Sequence, residues 1–388
     1  MSDLSTNNNL YSSVVLKSND VTFVFTAPYH HEADKNNEIK SIPHPNYSQE
    51  FAFEFIKNHG LAVRAVGILV KDAKIAHDIS VANGAISILP PTELYDDKKS
   101  ESSMVISEIR LYGDTVIRWI SGNSNCSFLP NYKELPISPE VDLGLLRVDH
   151  IVGNVPKLFE AVDYLMNSIG FHEFSEFTAE DVGTIDSGLN SMVLANNNEM
   201  ILLPVNEPTH GTRRKSQIQT YLEYNNGPGV QHIAIKTSNI LITIAEMRKR
   251  VAYGGFDFMP SPSPDYYNKI KERLELDKYL EPDEISDLQE MLKGLGILID
   301  RDDQGILLQL FTKNLGDRPT IFIEIIQRIG CDGIAKLFDE LKKFVNIGQS
   351  KACSVCDSLD TQKAGCGGFG KGNFSELFKS IEVEFEKL

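Results

Sequence analysis

The chain has 388 residues, with 38 Lys plus Arg against 54 Asp plus Glu and a formal net charge of −16. An apolar share of 41% with 24% charged residues excludes collagen, coiled coil, disulfide-rich miniprotein and disordered tail, and at roughly 150 residues per domain the length predicts two domains or three. A surface of this sign repels phosphate backbones, so nucleic acid and anionic membrane are excluded as partners; the basic run Arg213-Arg214-Lys215 is too short to reverse the field.

The segment Met1 to Leu10 is polar and carries Asp3, so it resembles neither a signal peptide nor a transit peptide. No apolar run approaches the roughly 18 residues that span a bilayer. Five cysteines are sparse and odd in number, which predicts free thiols in a reducing compartment. A cytoplasmic protein is expected.

Three stretches then share one pattern of apolar strand, polar break, helix-like segment and glycine. They are Val63 to Gly84, Leu146 to Gly170 and Val230 to Gly255. In the second, Leu158, Ala161, Val162, Leu165 and Met166 fall at helical spacing. Val66, His150 and His232 align, 84 and 82 residues apart. Strand-like runs lie between the copies, such as Ser191 to Leu203 and Gly305 to Phe311. A period near 80 opening strand-then-helix predicts an α+β fold of βαβββ modules, paired so that each pair closes a cupped, barrel-like domain. The expected boundaries are an N-terminal domain at 1–128, a proline-containing linker at 129–145 and a C-terminal domain at 146–388. Counting one period back from Val66 puts an earlier copy's opening strand before Met1. The first module of the N-terminal domain is therefore expected to be incomplete.

His150 and His232 occupy equivalent strand positions, where the first copy has Val66. Singly, a strand histidine is more often a satisfied structural residue; the coincidence in the repeat singles these two out. The apolar run Thr320 to Ile326 holds one charge, Glu324, which is costly there unless compensated. Two histidines and one carboxylate with open cis positions form the facial triad of non-haem Fe(II) oxygenases. Two other motifs carry no chemistry. Gly365 to Lys371 has phosphate-loop spacing, but Gly372 follows where Ser or Thr is needed and no strand precedes it. Cys353 and Cys356 form one C-x-x-C without the further ligands of a zinc site.

Longer motifs carry a resemblance. Leu307 to Cys331 (LLQLFTKNLGDRPTIFIEIIQRIGC), Cys366 to Glu382 (CGGFGKGNFSELFKSIE), Ser187 to Glu223 and Gly254 to Tyr267 closely resemble the 4-hydroxyphenylpyruvate dioxygenase family, its plant branch in particular. The resemblance is dense after Leu145 and looser before it. It implies two vicinal-oxygen-chelate domains forming open barrels, and a family strand and helix that would precede Ser2. The Lys269 to Gly294 loop is longer than usual for that branch, and Asp332 to Ser350 differs in sequence.

What the resemblance implies chemically is specific. Fe(II), 4-hydroxyphenylpyruvate and O2 would give homogentisate and CO2, in tyrosine and phenylalanine catabolism and in precursor supply for plastoquinone and tocopherol. The iron ligands fall on His150, His232 and Glu324. The substrate pocket falls on Ser191, Asn206, Gln217, Gln231, Gln309, Phe311, Phe322, Phe369, Asn373 and Phe374, with Phe311 and Phe374 as the rings that stack on the substrate. The helix Glu376 to Lys387 is expected to be a lid. Partners are then a small aromatic α-keto acid and O2, and a homodimer is compatible with the reading. Three alternatives stand beside it. They are a hydroxymandelate-synthase-like enzyme, a ring-cleaving extradiol dioxygenase, and an inactive, weakly folded truncated paralogue.

Overall fold

The computed structural model describes residues 1–30, 43–96, 99–122, 128–136, 142–177, 188–211, 215–330 and 365–385. Before the first repeat lie a hairpin, β1 (Tyr11–Ser18) and β2 (Val21–Pro28), and helix α1 (Gln49–His59). The first repeat unit is β3 (Ala65–Leu69), α2 (Ala73–Ala82), β4 (Ser87–Asp96), β5 (Lys99–Tyr112) and β6 (Thr115–Gly122). The second is β7 (Leu145–Asn154), α3 (Leu158–Ile169), β8 (His172–Phe177), β9 (Leu189–Ala195) and β10 (Leu202–Pro208), followed by α4 (Gln217–Tyr224). The third runs β11 (Gly229–Thr237), α5 (Ile240–Arg250), two further helices α6 (Pro264–Arg273) and α7 (Pro282–Leu295), then β12 (Leu298–Arg301), β13 (Ile306–Phe311) and β14 (Phe322–Ile329). Helix α8 (Phe374–Phe385) follows.

All three units are built alike. The first strand pairs in parallel with the fourth, so the spatial order within each unit is first, fourth, third, second. The second and third units join through an antiparallel β7–β11 pair into one eight-stranded sheet. The first unit is a separate four-stranded sheet with β3 at its edge; among the described residues, the hairpin and α1 precede it.

Each unit's helix covers one sheet face. Leu158, Val162 and Leu165 of α3 are buried, as are Ile240, Leu241, Ile244 and Met247 of α5. The N-caps differ. Asp72 accepts from Lys74 and Ile75 N–H, and Asn239 accepts from Ile242 N–H. Lys157 cannot cap, so Glu207 from β10 accepts the orphan Leu158 N–H at 2.8 Å.

Those caps give a ruler for the repeat. His150 lies seven residues before Lys157 and His232 seven before Asn239; seven before Asp72 stands Ala65, not Val66. The expected alignment was one residue out, and one residue turns a strand side chain to the opposite face. Val66 is buried in the main core with Ala73 and Ile117.

Other expectations need correcting too. Lys269 to Gly294 is largely helical. Pro282 opens α7, Glu281 and Glu284 form its capping box, and Ile285, Leu288 and Leu292 bury one face. Cys366, expected to be a free thiol, is disulfide-bonded. Leu129, at the start of the expected linker, packs with Leu89, Leu94, Met104 and Ile106. Cys353, Cys356 and Asp332 to Ser350 lie outside the described residues.

The connection between β13 and β14 is tied to α1. Arg318 donates to the carbonyls of Asn58 and, at 3.0 Å, Lys57, satisfying the end of that helix. Among the described residues no helix is long and apolar enough to cross a membrane.

Candidate functional site

The register between β7 and β11 shifts three times, and two of the shifts fall at the site. His150 faces Ala234 and Val148 faces Ile235, leaving Asp149 unpaired; His232 faces Val152 and Val230 faces Gly153, leaving Gln231 unpaired. A bulge can turn consecutive side chains to the same side. Asp149 Oδ1 accordingly stands 2.9 Å from His150 Nδ1, and Gln231 Oε1 stands 3.0 Å from His232 Nδ1. With Nδ1–H donating to that neighbour, Nε2 of each histidine is turned toward Glu324. The device recurs in both units.

Glu324 comes from β14, where it pairs with Ala234 of β11. Its Oε2 lies 3.2 Å from His150 Nε2 and 3.3 Å from His232 Nε2. All three side chains are buried, and the potential ligand atoms lie within 4.8 Å of one another. Two cis donors about 2.1 Å from a common ion would stand about 3.0 Å apart, so the separations fit one ion with two nitrogens and one oxygen.

The electrostatics depend on the partners. Burial alone would raise the Glu324 pKa, yet hydrogen bonds and charge from His150 and His232 hold it at about 2. Burial would lower His150, but Asp149 and Glu324 lift it to about 9. His232 is lowered, chiefly by burial. Burial would likewise raise Asp149, but the Arg328 guanidinium holds it well below the carboxylate range. Arg328 Nε and Nη2 donate to the two Asp149 oxygens at 3.0 and 2.8 Å, and Nη1 donates to the carbonyls of Cys366 and Gly368 at 2.5 and 2.7 Å.

A pH effect follows. Near pH 7 the metal-free cluster carries a proton on His150, because its pKa is raised to about 9. A ligating imidazole must be neutral, so metal uptake expels about one proton. The Kd for a divalent ion should fall about tenfold per pH unit between about pH 7 and about pH 9, then level off. Calorimetric titrations across that range check it, and a pH-independent Kd would contradict it.

The cavity above the cluster is lined by His150, His232, Glu324, Ser191, Asn206, Gln217, Gln231, Gln309, Phe311, Phe369, Asn373 and Phe374, with Leu189, Pro204, Leu377 and Phe378 among its other walls. Nine of the ten expected pocket residues are thus brought together. Phe322 is the exception: it stacks on His232 with centroids 4.9 Å apart and planes at 18°. Phe369 meets His150 edge-on at 5.3 Å. Free space in the cavity is about 40 Å³, room for a few waters.

The glycine run Gly365 to Lys371 has a packing role. Gly370 sits at φ 76°, and a Cβ there would collide with the Gln309 amide. Sequence reasoning missed Asp149 and Arg328. Arg328 was findable, since strand alternation places it on the Glu324 face of an otherwise apolar run.

Residues 147–286 match the model of the glyoxalase/bleomycin resistance protein/dioxygenase superfamily. A structure of a 4-hydroxymandelate synthase variant from Streptomyces coelicolor superposes with a TM-score of 0.66 at 20% identity, covering 88% of each chain, which shows a shared fold. Curated 4-hydroxyphenylpyruvate dioxygenases are much nearer in sequence. That of Plectranthus scutellarioides is 52% identical over all of this chain and 82% of its own length. That of Arabidopsis thaliana is 51% identical over all of this chain and 81% of its own. The Neurospora crassa protein is 35% identical over 98% of this chain and 83% of its own. With identity at that level along the whole chain, and the fold to match, the chain belongs to the 4-hydroxyphenylpyruvate dioxygenase family.

Proposed function

We propose that this protein is an Fe(II)-dependent dioxygenase converting 4-hydroxyphenylpyruvate and O2 to homogentisate and CO2, in tyrosine catabolism and prenylquinone precursor supply. One observation carries the reading: two histidines and one carboxylate converge at the floor of an aromatic-walled cavity. When bound there, Fe(II) would supply a Lewis acid for the α-keto acid and the electrons that activate O2.

The chain's own residues then have separable tasks. His150, His232 and Glu324 hold the ion, and Asp149 and Gln231 keep the two imidazoles oriented. Phe311, Phe369 and Phe374 give the substrate ring flat apolar walls. Ser191, Asn206, Gln217 and Gln231 offer hydrogen bonds to its polar groups. Leu377 and Phe378 of α8 cover the cavity and exclude water. Helix α8 is read as a lid over the cavity, since Phe374, Leu377 and Phe378 all lie in its wall. A cytoplasmic setting and a homodimer belong to the same proposal.

Phe374→Ala should weaken binding of aromatic keto acids about 2- to 10-fold beyond the effect of lost area, since a stacked ring contributes about 0.5–1.5 kcal/mol. Iron affinity should stay unchanged. Parallel titrations of iron and substrate check this, and an equal fall in both would assign Phe374 to packing alone. For the activity itself, O2 consumption should require both Fe(II) and 4-hydroxyphenylpyruvate and match CO2 release. Consumption with a catechol instead would mean ring cleavage.

A further inference from the structure

The polar contacts around Glu324 continue past the cavity wall. Oε2 faces the two histidines, while Oε1 accepts from Gln309 Nε2 at 2.9 Å. Gln309 Oε1 accepts from Asn373 Nδ2 at 3.0 Å. Asn373 Oδ1 accepts from the Tyr266 hydroxyl at 2.7 Å, and the Tyr266 oxygen accepts from Arg273 Nη2 at 3.0 Å. Five side chains from β14, β13, the turn before α8 and the length of α6 thus form one chain. It runs from the ligand cluster to an exposed arginine.

The chain has one polarity. An ionised carboxylate only accepts, so Gln309 must show it the NH2 and turn its carbonyl toward Asn373. Asn373 must answer with its NH2, which turns its own carbonyl toward Tyr266. That carbonyl needs a donor. Tyr266 has one proton and two acceptors in reach, Asn373 Oδ1 and, at 2.9 Å, the Ile299 carbonyl. Arg273 Nη2 also donates to the Ile299 carbonyl and, at a longer 3.4 Å, to Asn373 Oδ1, while the Ile299 N–H donates to the Tyr266 oxygen at 2.8 Å; with the Ile299 carbonyl served by Arg273, the Tyr266 proton goes to Asn373. Glu324, Gln309, Asn373 and Tyr266 are all buried, so a reversed amide would face a like group without water to relieve it.

We propose that Tyr266, anchored by Arg273, is a positioning residue that fixes the direction of this amide chain. The chain holds Glu324 Oε1 on Gln309, so the carboxylate offers a metal ion one oxygen and leaves coordination positions open for the keto acid and O2. Neither Tyr266 nor Arg273 lines the cavity; both act through Asn373 and Gln309. The inference rests on the metal site proposed above.

The test uses Co(II) titrated into the metal-free full-length chain without substrate, comparing wild type, Tyr266→Phe, Gln309→Leu and the double variant. A carboxylate free to turn gives the ion both oxygens, raises the coordination number and weakens the visible Co(II) bands. Tyr266→Phe should weaken those bands about twofold and lower kcat/KM about tenfold, through kcat more than KM. On the Gln309→Leu background it should add less than about twofold, since the link it controls is already gone. Arg273→Met, on the exposed end, should shift the bands the same way by less; it carries the test if Tyr266→Phe does not fold. A wild-type Co(II) spectrum in the folded variant, or fold-changes that multiply in the double variant, would overturn the proposal. Wild-type protein that takes up no Co(II) would overturn the metal reading and this one together.

Discussion

Glu324→Gln should abolish turnover while leaving the fold largely intact. The amide keeps the length and shape of the side chain but loses the charge that would help neutralise a divalent ion. It also leaves His150 without the charge that, with Asp149, holds its pKa at about 9. Losing an outer hydrogen-bond partner of a metal ligand costs roughly 10–100-fold in affinity, and losing the ligand's charge should cost more. Circular dichroism should be unchanged, because the new amide can keep its oxygen on Gln309 Nε2 and turn its NH2 toward the two histidines. If the purified variant makes homogentisate at near wild-type rate, Glu324 is not the third ligand.

Arg328→Met should be the most destabilising single change in the C-terminal sheet. Asp149 and Arg328 are both buried, and the guanidinium makes four hydrogen bonds, two to Asp149 and two to the carbonyls of Cys366 and Gly368. Removing one partner of a buried pair costs roughly 3–5 kcal/mol, because the other charge is left uncompensated. For a domain of this size that is a fall in Tm on the order of 10 °C. Arg328→Lys should recover only part of it, since an ammonium cannot reproduce the two-pronged contact. Adding Asp149→Asn to Arg328→Met should recover some stability by removing the stranded charge. A Tm within a degree or two of wild type for Arg328→Met would show that the pair is not a structural hinge between β7, β14 and the turn that carries Phe369.

The repeat made much of this legible. Strand–helix openings at a period near 80 predicted the βαβββ units, and the lone charge in an apolar β-branched run pointed to Glu324. Distances across strands were not legible. The bulges at Asp149 and Gln231 exist only in the pairing of β7 with β11, so the sequence shows two acceptors beside two histidines and not that they hold the imidazoles. The same blindness to register put Val66 where Ala65 belongs. Phe322 shares the face of Glu324 by alternation, as expected, but its ring is spent stacking on His232. The helix α7 was a different failure. Its buried Ile285, Leu288 and Leu292 stand at helical spacing inside the segment that the resemblance marks only as a longer loop. The disulfide at Cys366 depends on proximity that cysteine counting does not give.

The central claim is that this site turns an aromatic α-keto acid into homogentisate. The most direct measurement is a single turnover. Metal-free protein is loaded anaerobically with Fe(II) and 4-hydroxyphenylpyruvate, then exposed to O2, and the products are identified. The account predicts homogentisate and an equal amount of CO2. Release of 4-hydroxymandelate would contradict it in favour of benzylic hydroxylation, and no CO2 release from protein that has bound iron and substrate would show a chain that binds without catalysing.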